Sequence, residues 1–193
     1  MVDQNDQDAS KQDASQLPSA ILGEMTWLYS MSKLHRNWAI GSIHQWLLPA
    51  IYLKQYRLYH KNGRPVGLVT WAEMSAEVET AYVRNPRGLQ PKDWNSGKRG
   101  WLLDFVAPFG DAIQIGHDLK YNIFANKVGR YLRVKEGSDT MNISYIHGAK
   151  AIKKAQDWNE NPTVDLRDDA KQPSEVKKKK PATKKKTKKK GST

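Results

Sequence analysis

The sequence predicts an α+β domain, with a mixed sheet packed against helices. Three observations predict it. Two alternating apolar segments flank Asn62-Gly63, a strong signal for a two-residue hairpin. The run from Trp101 to Ala107 is apolar except at Asp104, so it reads as a central strand covered on both faces. Stretches with helical spacing are interleaved with these strands. The resulting order is helix, strand, strand, helix, strand, helix, strand, strand.

Taken in order, Ile40, Ile43, Leu47 and Ile51 recur at helical spacing and predict a helix over 40–51. Asn37 stands where an N-cap would, and Pro49 is expected to kink or end that helix. Residues 55–60 alternate, with Tyr56, Leu58 and His60 on one side. Residues 65–74 return as a second strand through Val66, Leu68 and Thr70. A short helix over 75–83 leads into a loop over 84–97, marked by Pro86, Gly88, Pro91 and Gly97. Pro108 and Gly110 end the strand that starts at Trp101, and Asp111 is placed to cap a helix reaching about Asn126. Strands over 130–134 and 141–147 complete the domain. All seven Trp fall between Trp27 and Trp158, which means either a dense aromatic core or a large apolar groove.

At 193 residues the chain holds about one domain. The ordered part is expected over 17–160, between an acidic disordered segment over 1–16 and a Lys-rich disordered tail over 161–193. The net charge of +12 is unevenly spread. Residues 167–193 carry twelve Lys+Arg and three acids, whereas 21–166 carry nineteen basic and thirteen acidic residues. The tail has too little apolar surface to offset its ordering entropy, and as a cationic arm it suits an anionic partner. Mean hydropathy is −0.76, and no apolar run approaches the ~20 residues of a membrane span. The N-terminal residues lack the basic and apolar regions of a secretory signal. Absence of cysteine excludes disulfides, a thiolate zinc site and a cysteine nucleophile, and fits a reducing cytoplasm.

Two residues could carry chemistry. Asp104 lies inside an apolar strand, where a carboxylate needs a cation, hydrogen-bond donors or a proton. It is either a buried structural pair or a site carboxylate near a strand's C-terminal end. His35 precedes the first expected helix. The other histidines, His44, His60, His117 and His147, lack metal-ligand spacing. No metal site is expected, and there is no P-loop, Gly-x-Ser-x-Gly or dinucleotide fingerprint. A rival reading takes the tail and the pI near 9.7 as marks of a nucleic-acid-binding protein. That reading calls for basic residues interleaved with aromatics over one folded face, whereas the folded part is only mildly basic.

The run Ile21-Leu22-Gly23, Trp27-Leu28 and Ser32-Lys33-Leu34-His35-Arg36-Asn37-Trp38 resembles the N-terminal signature of the RTX-toxin-activating lysine acyltransferases. The resemblance continues through Leu48-Pro49-Ala50-Ile51 and Trp71-Ala72. It is densest in Asp93-Trp94-Asn95-Ser96-Gly97 and from Trp101 to Asp111. Arg133-Val134 and His147-Gly148-Ala149-Lys150 extend it, so that it covers about residues 21–152. It implies a cytoplasmic bacterial enzyme that moves a fatty acyl chain from acyl carrier protein to internal lysines of an RTX protoxin. It implies a fold similar to the Gcn5-related acetyltransferases, a homodimer and no bound cofactor, the acyl-carrier protein being the donor substrate. The absence of a Gly-rich pyrophosphate loop likewise favours a carrier protein over coenzyme A. An alternative acceptor is some other lysine-bearing substrate.

The family's catalytic pair falls on His35 and Asp104, with Ser32, Asn37 and Gln45 as supporting residues. Lys33, Arg36, Lys98 and Arg99 flank the motifs and are candidates for docking the acidic carrier. Three features depart from the family pattern. Ala39 stands where the family usually has Pro. Gln45-Trp46 stands near a common Asn. The Lys-rich tail lies outside the pattern altogether.

Overall fold

The computed structural model describes residues 17–134 and 141–153. Its centre is one five-stranded sheet in the order β1-β2-β3-β4-β5. The strands are β1 (Tyr56–Lys61), β2 (Arg64–Met74), β3 (Arg99–Val106), β4 (Val128–Val134) and β5 (Met141–His147). All neighbours are antiparallel except β3 and β4, which run parallel. The sheet is therefore mixed and the fold is α+β. The β1–β2 turn places Asn62 at φ 53° and Gly63 at φ 72°, the two positive values a type I′ hairpin turn requires.

The helices are α1 (Pro18–Met31), α2 (Ile43–Trp46), α3 (Leu48–Leu53), α4 (Ala76–Arg84) and α5 (Ala112–Asp118). The sequence reading overlooked α1. Trp27 and Met31 face solvent while Ile21, Met25 and Leu28 are buried, so apolar residues surround the helix and blur its period. Its N-cap Leu17 makes no side-chain cap bond. Burial of Ile21, Met25 and Leu28, about 1.5–3 kcal/mol each, holds it instead.

The single helix expected over 40–51 is three pieces: a 3₁₀ turn Ile40–Ser42, then α2 and α3. Pro49 does not end it. It sits in the first turn of α3, where its missing N–H costs nothing. Asn37 is exposed in a preceding turn and caps nothing; Ala39 precedes the 3₁₀ turn. Asp111 does precede α5, but its side chain makes no cap bond and instead lies 3.5 Å from Lys61. The regular helix there stops at Asp118 and continues as a π turn, Leu119–Ile123. Ser75, in contrast, caps α4 by accepting from the Val78 N–H at 3.3 Å.

The core lies on both sheet faces, and β2 alternates between them. Leu68, Ala72 and Met74 pack towards α1, α3 and α4, whereas Val69 and Trp71 pack towards α5. Only Trp94 and Trp101 among the tryptophans are fully buried; Trp27 and Trp38 are exposed and Trp158 lies outside the described residues. β3 is central, but its C-terminal half is not covered on both faces, since Phe105 is 39% exposed.

A buried carboxylate staples α4 to the parallel pair. Glu79 accepts from Trp101 Nε1 at 2.9 Å, from Arg99 at 2.8 Å and from Arg130 of β4. Arg99, a docking candidate in the sequence, is thus engaged inside the fold. Removing one partner of such a network leaves buried charge behind. Glu79→Ala should lower unfolding free energy by about 3–5 kcal/mol in urea titrations. A loss under about 1 kcal/mol, the range of an exposed pair, would contradict this role.

Candidate active site

Two local features bring the site together. The first is the irregularity in β3. Thr70 of β2 pairs with Asp104, but the next residue, Trp71, pairs with Leu102. Leu103 is therefore the extra residue of a bulge, a device that re-aims neighbouring side chains. Pairing between β3 and β4 covers only Gly100–Leu102 against Gly129–Tyr131. Asp104 thus lies just past the point where the parallel strands stop pairing.

The second is the turn after α1. The N–H groups of His35 and Arg36 both reach the Ser32 carbonyl, at 3.2 and 3.0 Å, and the Trp38 N–H reaches the His35 carbonyl at 2.8 Å. The wound turn aims His35 back at the sheet. His35 Nε2 lies 3.1 Å from Asp104 Oδ1, and both side chains are almost fully buried. Ser32 Oγ lies 2.8 Å from the other ring nitrogen, Nδ1. The Tyr29 ring stacks on the imidazole at 4.3 Å, and Trp38 tilts over it at 4.8 Å.

The remaining oxygen of Asp104 is also occupied. Tyr29 donates its hydroxyl to Oδ2 at 2.6 Å, and Thr70 donates to the same atom at 3.1 Å. A buried carboxylate that accepts three hydrogen bonds needs no internal cation. Asp104 accepts, so the neutral imidazole carries its proton on Nε2 and has its lone pair on Nδ1, where the Ser32 hydroxyl donates. Burial, reinforced by the Asp104 charge and its hydrogen bond, raises Tyr29 well above the usual tyrosine range. Tyr29 therefore remains a hydroxyl donor at any physiological pH.

The structure unites Ser32, His35 and Asp104, but treats the other sequence candidates differently. Gln45 donates its amide to the Arg87 and Leu89 carbonyls, both at 2.6 Å, and so pins the loop after α4. Asn37, Lys33, Arg36 and Lys98 are exposed. Tyr29, Thr70 and Trp38 were missed. Thr70 had one signal, a hydroxyl inside the run Leu68-Val69-Thr70-Trp71-Ala72. Among the described residues, no group of three or more His, Asp or Glu is arranged to hold a metal ion.

The family model of the RTX toxin acyltransferases matches residues 14–147. The chain belongs to that family. It is 36% identical over 135 residues to the RTX-II toxin-activating lysine-acyltransferase of Actinobacillus pleuropneumoniae, covering 69% of this chain and 84% of the relative. It is 37% identical over 139 residues to the protein-lysine myristoyltransferase of Escherichia coli, covering 71% and 80%. An uncharacterized protein of Synechocystis is 40% identical over 127 residues, covering 64% and 86%. The chain is accordingly an acyltransferase, and His35, Asp104 and their donors all fall within the matched residues.

Tyr29→Phe deletes one donor to a buried carboxylate, and near neutral pH this should cost about 1.5–3 kcal/mol. The difference should shrink in alkali. Below pH ~10 Tyr29 is protonated whether folded or unfolded. Above it the unfolded chain ionises this tyrosine while the folded one resists, so Tyr29's contribution falls as pH rises. Urea titrations of both proteins at neutral pH and above pH ~10 check this; an unchanged difference would contradict it.

Proposed function

We propose that this acyltransferase moves a fatty acyl chain from acyl carrier protein to the ε-amine of internal lysines of an RTX protoxin, with His35 as general base and Asp104 as its orienting partner. The single observation that carries the reading is the Ser32–His35–Asp104 chain of contacts, in which one ring nitrogen faces the buried carboxylate and the other faces the Ser32 hydroxyl. The names of the relatives as toxin-activating lysine-acyltransferases and as a protein-lysine myristoyltransferase support the acceptor and the lipid class. Cytoplasmic action and a homodimer complete the reading and rest on the family resemblance.

The chemistry requires such a base. A lysine amine has pKa ~10.4, so close to neutral pH only about one in a thousand is free to attack, a cost of about 4 kcal/mol. The amine nitrogen attacks the thioester carbonyl carbon. Its proton passes to His35 Nδ1, either after the Ser32 hydroxyl swings aside or through that hydroxyl. The carbon–sulfur bond then breaks, the amide remains on the lysine, and the leaving thiolate takes the proton back from the imidazolium. Asp104 stabilises the charged ring through Nε2, as in triad logic. General-base assistance of this kind is worth roughly 10²–10⁴-fold. Because Asp104 is covered by Tyr29, Thr70 and His35, its surroundings favour orienting the ring over binding the incoming ammonium directly.

Exposed Lys33, Arg36 and Lys98 suit an acidic carrier protein, and Lys33 and Arg36 share the turn that holds His35. Arg99 is dropped from that group because it serves Glu79. The Lys-rich tail lies outside the described residues and is given no catalytic role.

The test is co-expression with the candidate protoxin, followed by mass spectrometry of its peptides. An added fatty-acyl mass on an internal lysine is expected with the wild-type chain, and none with His35→Ala. Asp104→Asn should retain under about one hundredth of the activity. Circular dichroism should show His35→Ala folded. Near-normal acylation by His35→Ala would remove it from the mechanism, and acylation of other proteins in place of the protoxin would overturn the acceptor.

A further inference from the structure

Tyr29 touches both members of the His35–Asp104 pair. Its hydroxyl donates to Asp104 Oδ2 at 2.6 Å, and its ring lies over the imidazole at 4.3 Å with 24° between the planes. Asp104 divides its bonds unevenly. Among the described residues, Oδ1 receives His35 Nε2 at 3.1 Å, whereas Oδ2 receives two hydroxyls, from Tyr29 and, at 3.1 Å, from Thr70. Each donor stabilises the charged carboxylate and draws charge towards the oxygen it binds. Two hydroxyls on Oδ2 therefore lessen the charge left on Oδ1 for the ring. Thr70 is fully buried and Tyr29 nearly so, so water has little access to either bond.

The reaction sets the base two demands. The ring must be unprotonated when the lysine amine attacks, and it must release its proton when the thiolate leaves. A carboxylate that holds the imidazolium too tightly fails both, because the ring is protonated before the amine arrives and keeps the proton afterwards. A carboxylate with part of its charge drawn elsewhere meets both. Tyr29 and Thr70 draw it without adding a charge of their own. Burial, reinforced by the Asp104 charge, keeps Tyr29 neutral, and threonine does not titrate. The other groups around the pair leave this balance alone. Burial, with a smaller part from the Asp104 charge, raises Tyr82 of α4 above the usual tyrosine range, so it too stays neutral. Ser32 and Trp38 carry no charge, and Lys33 and Arg36 of the same turn are exposed cations.

We propose that the Tyr29 hydroxyl, with Thr70 beside it, is a positioning group that limits how tightly Asp104 holds a proton on His35, and so sets the lowest pH at which acyl transfer runs. The inference rests on the general-base function proposed above.

The experiment measures initial rates of transfer from myristoyl-carrier protein to the protoxin between about pH 5.5 and 8.5, a range that brackets histidine titration. The full-length wild type is compared with Tyr29→Phe, Thr70→Val and Thr70→Ser. Tyr29→Phe removes the hydroxyl and keeps the stacked ring. Thr70→Val removes the other hydroxyl, and Thr70→Ser keeps it. Each variant's rate is divided by the wild-type rate at the same pH, which cancels the titration of the acceptor lysine and of the carrier. Circular dichroism selects the pH values at which every variant is folded. The Tyr29→Phe ratio should fall by about three- to tenfold from the alkaline to the acid end, because a pair short of one donor takes up its proton about half a unit to one unit higher in pH. The Thr70→Val ratio should fall the same way but less, its bond being longer, and the Thr70→Ser ratio should stay level. A Tyr29→Phe ratio that is level across the range, however low, would assign the hydroxyl to stability alone and overturn the proposal; a ratio that rises towards acid would overturn it as well. Both outcomes leave the general-base function standing. Near-normal transfer by His35→Ala in the same assay would overturn that function and the proposal together.

Discussion

The rest of the site depends on the solvation of one buried carboxylate. Asp104 lies on the central strand, with little contact to water, and three donors from three separate places stand in for the water it has lost. Tyr29 comes from the last turn of α1, Thr70 from the neighbouring strand and His35 from the turn between. The group is satisfied only when all three elements are in position at once. The geometry that meets the carboxylate's needs is therefore the same geometry that points the other ring nitrogen at the Ser32 hydroxyl. Folding and preorganisation of the imidazole are one event here, not two.

Glu79 solves the same problem differently and for a different end. Its carboxylate is also fully buried, but its partners are two guanidinium groups and an indole, drawn from β3 and β4. It fixes the short paired stretch of the parallel strands. Burial pushes Arg130 below its usual range while the Glu79 charge pulls it back. One carboxylate is thus neutralised by cations and serves the sheet. The other is held by neutral hydroxyls and an imidazole, so its charge remains available to stabilise a proton arriving on that ring. The choice of partners, more than burial itself, separates the structural acid from the site acid.

Much of this was legible in the sequence, and the parts that were not share a cause. The hairpin, β3, α4 and the order of the strands follow from local patterns, because turn residues and apolar alternation act within a few positions. Asp104 and His35 stood out as a polar residue in an apolar run and as a histidine within a dense motif. Thr70 and Tyr29 did not, since their importance exists only through the bulge at Leu103 and the docking of α1, contacts 34 and 75 residues away in the chain. Gln45 was drawn towards the site by its position near a family motif, whereas its amide answers a local demand from two loop carbonyls. Arg99 looked like surface because an arginine near Gly100 and Gly97 gives no hint of a buried glutamate on α4.

The helix overlooked in the sequence, α1, is the element that does most for the site. It was hard to read because it is apolar on two faces, and those faces have separate uses. Ile21, Met25 and Leu28 secure it to the sheet, and Tyr29 extends that inner face to Asp104. On the outer stripe Gly23, Trp27 and Met31 are exposed, and Trp27 stacks on Phe109 of the loop after β3. A helix serving only the core would gain by exchanging these for charged residues, which favour water and leave the inner face undisturbed. Because both faces belong to one rigid rod, the stacking of Trp27 on Phe109 and the bond from Tyr29 to Asp104 together fix α1 against β3 and the loop that follows it, and so fix where the turn that carries His35 begins.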